Sequence, residues 1–162
     1  MSALAKSLSS YREYHRDHRN VATHAVGIPM IVFGVEILLS RPVWVTEFFT
    51  LTPAVVATVA AAFYYLKLDR QLGGAMALIL IVLAWLGLQI AQGSTVLWLG
   101  SGIGLFVVGW IFQLVGHKFE GRKPAFIDDL RSLLIGPIFV LAEALFALGM
   151  LDELKRELEK GR

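Results

Sequence analysis

Four histidines, His15, His18, His24 and His117, carry most of the chemistry that this sequence could perform. Cysteine is absent. That excludes disulfides, iron–sulfur clusters, thiolate metal sites and a cysteine nucleophile together. A metal bound here must use imidazole nitrogen with carboxylate or amide oxygen, and neutral imidazoles without thiolate suit Fe(II), Zn, Mn or Cu. Such a site fits non-haem iron oxygen chemistry or zinc-assisted hydrolysis. Two histidines as axial ligands of a haem are a weaker option.

Spacing constrains how the four could meet. Tyr11, His15 and His18 share one helical face at i, i+4 and i+7, and Asn20 and His24 share another at i and i+4. On one straight helix His15 and His24 would point in opposite directions. A bend near 17–20 is therefore needed for both to reach one ion, and Asp17 and Asn20 are natural N-caps for the restart. His117 opens a polar loop that also holds Lys118, Glu120, Arg122, Lys123 and Asp128. Glu120 or Asp128 could ligate a metal or hold a ligand imidazole in place. Lys118, Arg122 or Lys123 could meet a substrate carboxylate. The plainer alternative is a solvated basic loop at lipid headgroups. Two acids lie in apolar sequence. Glu36 is near enough to a helix end to reach water. Glu143 sits deeper and could orient a histidine, line a tunnel or bond to another helix.

The elements that must position these residues are apolar helices. Hydrophobic residues make up 56% of the 162 and charged residues 17%, against about 45–50% and about 25% in a soluble domain. Mean hydropathy is +0.64. Too little polar sequence remains to cover a water-soluble globule. A net charge of +2 implies no nucleic acid or other polyanion as partner. Apolar stretches run over 21–39, 51–66, 72–91, 96–115 and 132–151, the last broken early by Gly136-Pro137. A bilayer core of about 30 Å needs roughly 20 such residues. The expected fold is thus an all-α polytopic membrane bundle of four to five apolar helices in a single domain. Residues 1–20 form a short interfacial helix, 21–151 the bundle and 152–162 a charged, solvated helical tail. The fifth stretch is expected to tilt or re-enter rather than span. Basic residues concentrate before the first stretch, between the second and third, and between the fourth and fifth. The positive-inside rule then puts all four histidines on the cytoplasmic side.

Several of these residues fall in a recognisable pattern. Tyr14-His15, Asn20, His24 and Pro29 resemble the opening signature of a small membrane family. Gly109-Trp110-Ile111-Phe112-Gln113, Gly116-His117, Phe119-Glu120, Arg122, Pro124-Ala125, Asp128, Pro137, Phe139 and Glu143 continue the likeness. The family is that of the membrane 2-hydroxy fatty acid dioxygenases of phytosphingosine breakdown, from the fungal endoplasmic reticulum and bacteria. The resemblance implies an Fe(II)-dependent dioxygenase. It would use dioxygen to remove one carbon from a long-chain 2-hydroxy fatty acid and leave the odd-chain acid. It implies His15, His24 and His117 as metal residues, with Asn20, Glu120 and Asp128 at further motif positions that support them. His18 has no clear counterpart. Lys118 and Arg122 stand as weaker candidates for the substrate carboxylate. The protein would then be integral to a bacterial inner membrane, or to the endoplasmic reticulum in a eukaryote. Two other readings use the same residues: a zinc-dependent membrane lipid hydrolase, and a non-enzymatic membrane carrier or scaffold.

Overall fold

A computed structural model describes residues 2–47 and 50–160. In chain order the described elements are α1 (Ala3–Arg12), α2 (His18–Leu39), β1 (Trp44–Val45), β2 (Thr50–Leu51), α3 (Pro53–Leu68), α4 (Arg70–Ala91), α5 (Thr95–Glu120), α6 (Ser132–Ala147) and α7 (Asp152–Lys160). A 3-10 turn, Ala125–Ile127, precedes α6. The architecture is all-α, with one small antiparallel hairpin that sets Trp44 opposite Leu51. Three helices, α2, α4 and α5, are long and apolar enough to cross a membrane. At about 1.5 Å per residue they exceed a core of about 30 Å, whereas α3 falls short of it. Large apolar side chains stay exposed along them, among them Leu78, Ile81, Trp85, Ile103 and Ile111. Lipid is the solvent that suits such surfaces.

Backbone contacts divide the chain into two compact units. In the first, Pro29–Ile111, α3 and α4 are joined through Asp69. Its carboxylate caps α4 by accepting from the Leu72 N–H at 2.7 Å. Arg41 closes the far end of α4, donating to the carbonyls of Ala91 (2.7 Å) and Gly93 (2.8 Å). Glu36 does not reach water as expected. Only 5% exposed, it accepts from the Thr58 hydroxyl at 2.9 Å. A carboxyl that far inside a span needs a donor on a neighbouring helix.

The second unit comprises Met1–Ile28 and Phe112–Arg162. Leu4, Leu8 and Tyr11 repeat at helical spacing and are buried, and α1 packs against α6 and α7. The expected interfacial helix over 1–20 is therefore shorter and part of a core. It ends at Arg12, and α2 begins at His18. The turn between them is the bend that the His15–His24 spacing demanded. Asp17 caps α2, accepting from the Arg19 N–H at 2.8 Å. Two further expectations need correction. Helix α5 continues through His117 to Glu120, so these residues lie on its last turn rather than in a loop. Gly121, at φ +67°, ends it by taking the left-handed conformation. Helix α6 runs unbroken through Gly136-Pro137. Gly136 serves close packing instead, since a Cβ there would lie 2.9 Å from Ile28 Cδ1 and 3.1 Å from the Tyr11 hydroxyl. The break comes later, where the chain turns 110° from α6 into α7. The charged tail also returns to the fold. Glu157 accepts from the Ser2 N–H at 2.6 Å, and Leu158 is buried.

Candidate metal centre

Three segments of the second unit each deliver one imidazole. His15 comes from the turn after α1, His24 from the second turn of α2 and His117 from the last turn of α5. They are 3%, 1% and 7% exposed. Ring centroids lie 4.4 Å apart for His15–His24, 4.8 Å for His24–His117 and 5.2 Å for His15–His117. One nitrogen from each lies within 4.8 Å of the others. Among the described residues this is the cluster of metal-ligating side chains that could hold an ion.

The tautomers follow from the hydrogen bonds. His15 Nδ1 is 2.8 Å from the Tyr11 carbonyl, and His24 Nδ1 is 2.9 Å from the Asn20 carbonyl. A carbonyl oxygen can only accept, so both Nδ1 atoms carry the proton. Each Nε2 is left with a lone pair for an ion. His15 Nε2 is buried without a partner, as is His117 Nδ1. Orphaned buried nitrogen is costly to leave unsatisfied, and a bound cation satisfies it. Burial pushes the His15 imidazole down to about 4, against the pull of its Tyr11 hydrogen bond, so it is neutral at physiological pH as a ligand must be. The Tyr11 ring stacks on His15 at 4.1 Å, and Phe139 packs on both. A donor set of three neutral imidazoles fits a borderline divalent metal with open positions.

Glu120 fastens the His15 turn to α5. Its carboxylate accepts from the Arg16 N–H (3.0 and 3.1 Å), the Asp17 N–H (2.9 Å) and the Asn20 amide (3.0 Å). Asn20, fully buried, also donates to the Tyr14 carbonyl at 3.2 Å. Gly116 lets α2 and α5 meet here. A Cβ on it would strike the Thr23 hydroxyl and lie 2.5 Å from Asn20 Oδ1 and 3.1 Å from His24 Nδ1.

The chain matches the family model described as "2-hydroxy-palmitic acid dioxygenase Mpo1-like" over residues 1–148. It is also 38% identical over 158 residues to the "2-hydroxy-palmitic acid dioxygenase MPO1" of Saccharomyces cerevisiae. That alignment covers 96% of this chain and 87% of the yeast protein. The chain belongs to the Mpo1-like family. No solved structure matches it.

In this Mpo1-like chain the residues singled out in the sequence divide into three groups. His15, His24 and His117 converge, and Asn20 and Glu120 sit directly behind them. Asp128 stands apart as a surface latch, accepting from the Tyr14 hydroxyl at 3.0 Å and Lys123 Nζ at 2.5 Å. Those two bonds hold its carboxyl below the usual range. His18 is exposed at the start of α2. Of the two cations, Lys118 is exposed, and Arg122 donates to the Glu13 carbonyl at 3.0 Å. Sequence reasoning missed Gln113 as a site residue. It is 6% exposed, one helical turn before His117, and its Nε2 has no partner. Its i, i+4 relation to His117 was the available signal. It also missed Arg12 and Arg16, which line a cavity of about 650 Å³ against His15.

Proposed function

We propose that this protein is an Fe(II)-dependent dioxygenase of long-chain 2-hydroxy fatty acids, releasing the acid one carbon shorter. The observation that carries the reading is the buried convergence of three neutral imidazoles with orphaned nitrogens. The name of the yeast relative supplies the substrate class. His15, His24 and His117 would hold the iron, which when bound supplies dioxygen chemistry that imidazoles alone cannot perform. A 2-hydroxy acid suits a site with three protein ligands, because its hydroxyl and carboxylate can chelate in the remaining positions.

The electron balance needs no further reductant. RCH(OH)COOH and O2 give RCOOH, CO2 and H2O, so the substrate yields four electrons and one dioxygen accepts four. The chain itself does the rest. Tyr11 and Asn20 carbonyls fix the ring orientations, Glu120 holds the His15 turn, and Phe139 with the Tyr11 ring keeps water off the cluster. We place the site at the cytoplasmic face, since Arg12, Arg16, Arg19, Lys118, Arg122 and Lys123 gather at this end of the helices. A zinc hydrolase would use the same histidines but consume no oxygen.

The test is dioxygen uptake by purified protein given Fe(II) and 2-hydroxypalmitic acid, with the product followed by mass. One O2 consumed per pentadecanoic acid formed, without a 2-oxoacid, supports the proposal. No uptake with iron bound refutes it.

A further inference from the structure

The cavity beside His15 is lined by Arg12, Glu13, Arg16, His18 and Glu143. Its two guanidinium groups are committed to different degrees. Arg16 is tightly paired with Glu13, within its own turn. Arg12 has one ionic partner among the described residues, Glu143 on α6, at 3.7 Å. That separation lies beyond hydrogen-bond reach, so the Arg12 fork faces the cavity with its donors unmet. The two side chains are 30% and 26% exposed, and ligand can reach them. A guanidinium presents a rigid fork of N–H donors that matches a carboxylate in bidentate geometry.

We propose that Arg12 receives the carboxylate of the fatty acid, and that Glu143 is its resting counter-ion, displaced when the acid binds. The inference rests on the dioxygenase reading and names the residue that selects an acid over a neutral lipid. One carboxylate oxygen on Arg12 leaves the other oxygen and the 2-hydroxyl available to the three histidines. A cavity of about 650 Å³ lies within the usual range of ligand pockets, about 300–1,000 Å³. Lys118 and Arg122 are less suited to receive it, because neither lines this cavity and Arg122 is bound to the Glu13 carbonyl.

The test is equilibrium binding of 2-hydroxypalmitic acid and of 1,2-hexadecanediol, its carboxylate-free analogue, to the metal-free full chain in nanodiscs. Wild type should prefer the acid. Arg12→Met should weaken acid binding about tenfold or more and leave diol binding unchanged. Arg12→Lys should restore part of the loss. Glu143→Gln should act in the opposite sense, tightening acid binding severalfold by freeing the guanidinium. Equal loss for acid and diol, no loss for either, or no preference of wild type for the acid would each overturn the assignment. Oxygen uptake by iron-loaded wild type, measured alongside, tests the dioxygenase reading separately. Uptake together with an Arg12→Met protein of unchanged acid affinity sinks the Arg12 assignment alone.

Discussion

Glu120→Gln removes a charge and one acceptor from a carboxylate that serves three donors. Oε2 accepts from Asp17, Asn20 and Arg16, and Oε1 from Arg16 alone. The glutamine oxygen can stand in for Oε2 and keep the Asp17 and Asn20 bonds. Its NH2 then faces the Arg16 N–H, donor against donor. Hydrogen bonds to charged groups contribute about 1.5–3 kcal/mol and neutral ones about 0.5–1.5 kcal/mol. One bond lost and two weakened amount to about 2–4 kcal/mol, and partial solvent access to Glu120 favours the lower end. For a chain of this size about 2 kcal/mol lowers Tm by roughly 4–8 °C. The loosened turn carries His15, and losing an outer partner of a ligand typically costs about 10–100-fold in metal affinity. Thermal unfolding in detergent and anaerobic iron titration read the two effects on one preparation. Unchanged Tm and unchanged iron affinity would refute the latch. A lowered Tm with wild-type iron affinity would equally refute its role in positioning His15.

Three further outcomes follow from the same geometry. Gly116→Ala places a methyl group against Thr23, Asn20 and His24; overpacking of about 1–3 kcal/mol should push α2 from α5 and lower iron retention, checked by metal analysis after gel filtration. The metal-free protein should lose stability as pH falls from about 6.5 to about 4. An unfolded His15 binds a proton in that window while the folded one does not, so stability rises with pH there and levels off below it, an effect on the order of 3 kcal/mol that His15→Asn should abolish in Tm measurements at pH 7 and 4.5. Because the chain has no cysteine, Lys123→Cys is a clean topology probe. It should react with a membrane-impermeant maleimide only from the cytoplasmic side.

The sequence made the broken first helix legible because His15 and His24 are nine residues apart, a spacing one helix cannot bring to one face. It placed the three imidazoles together through charge counting and family likeness, and their burial and closeness bear out a shared location. Other features left no readable mark. Glu120 binds two backbone N–H groups, and backbone partners carry no side-chain signature at the acceptor's position. Its charged neighbours made residues 117–120 look like loop, although a helix can end in polar residues once it leaves the apolar layer. Gly136-Pro137 looked like a break because glycine and proline usually are one; here the glycine clears space for Tyr11 and Ile28, contacts set by the distant α1 and α2. Arg12 drew no notice because its partner Glu143 is far away in the chain. Pairing across such a distance appears only after folding.

The most direct test of the central claim is iron stoichiometry in the wild type and in His15→Ala, His24→Ala and His117→Ala, titrated anaerobically with Fe(II). A three-imidazole centre predicts one tightly held iron per chain in the wild type, and a fall in affinity of several orders of magnitude in each variant with secondary structure intact. Iron held equally well by wild type and all three variants, or by none of them, would contradict it.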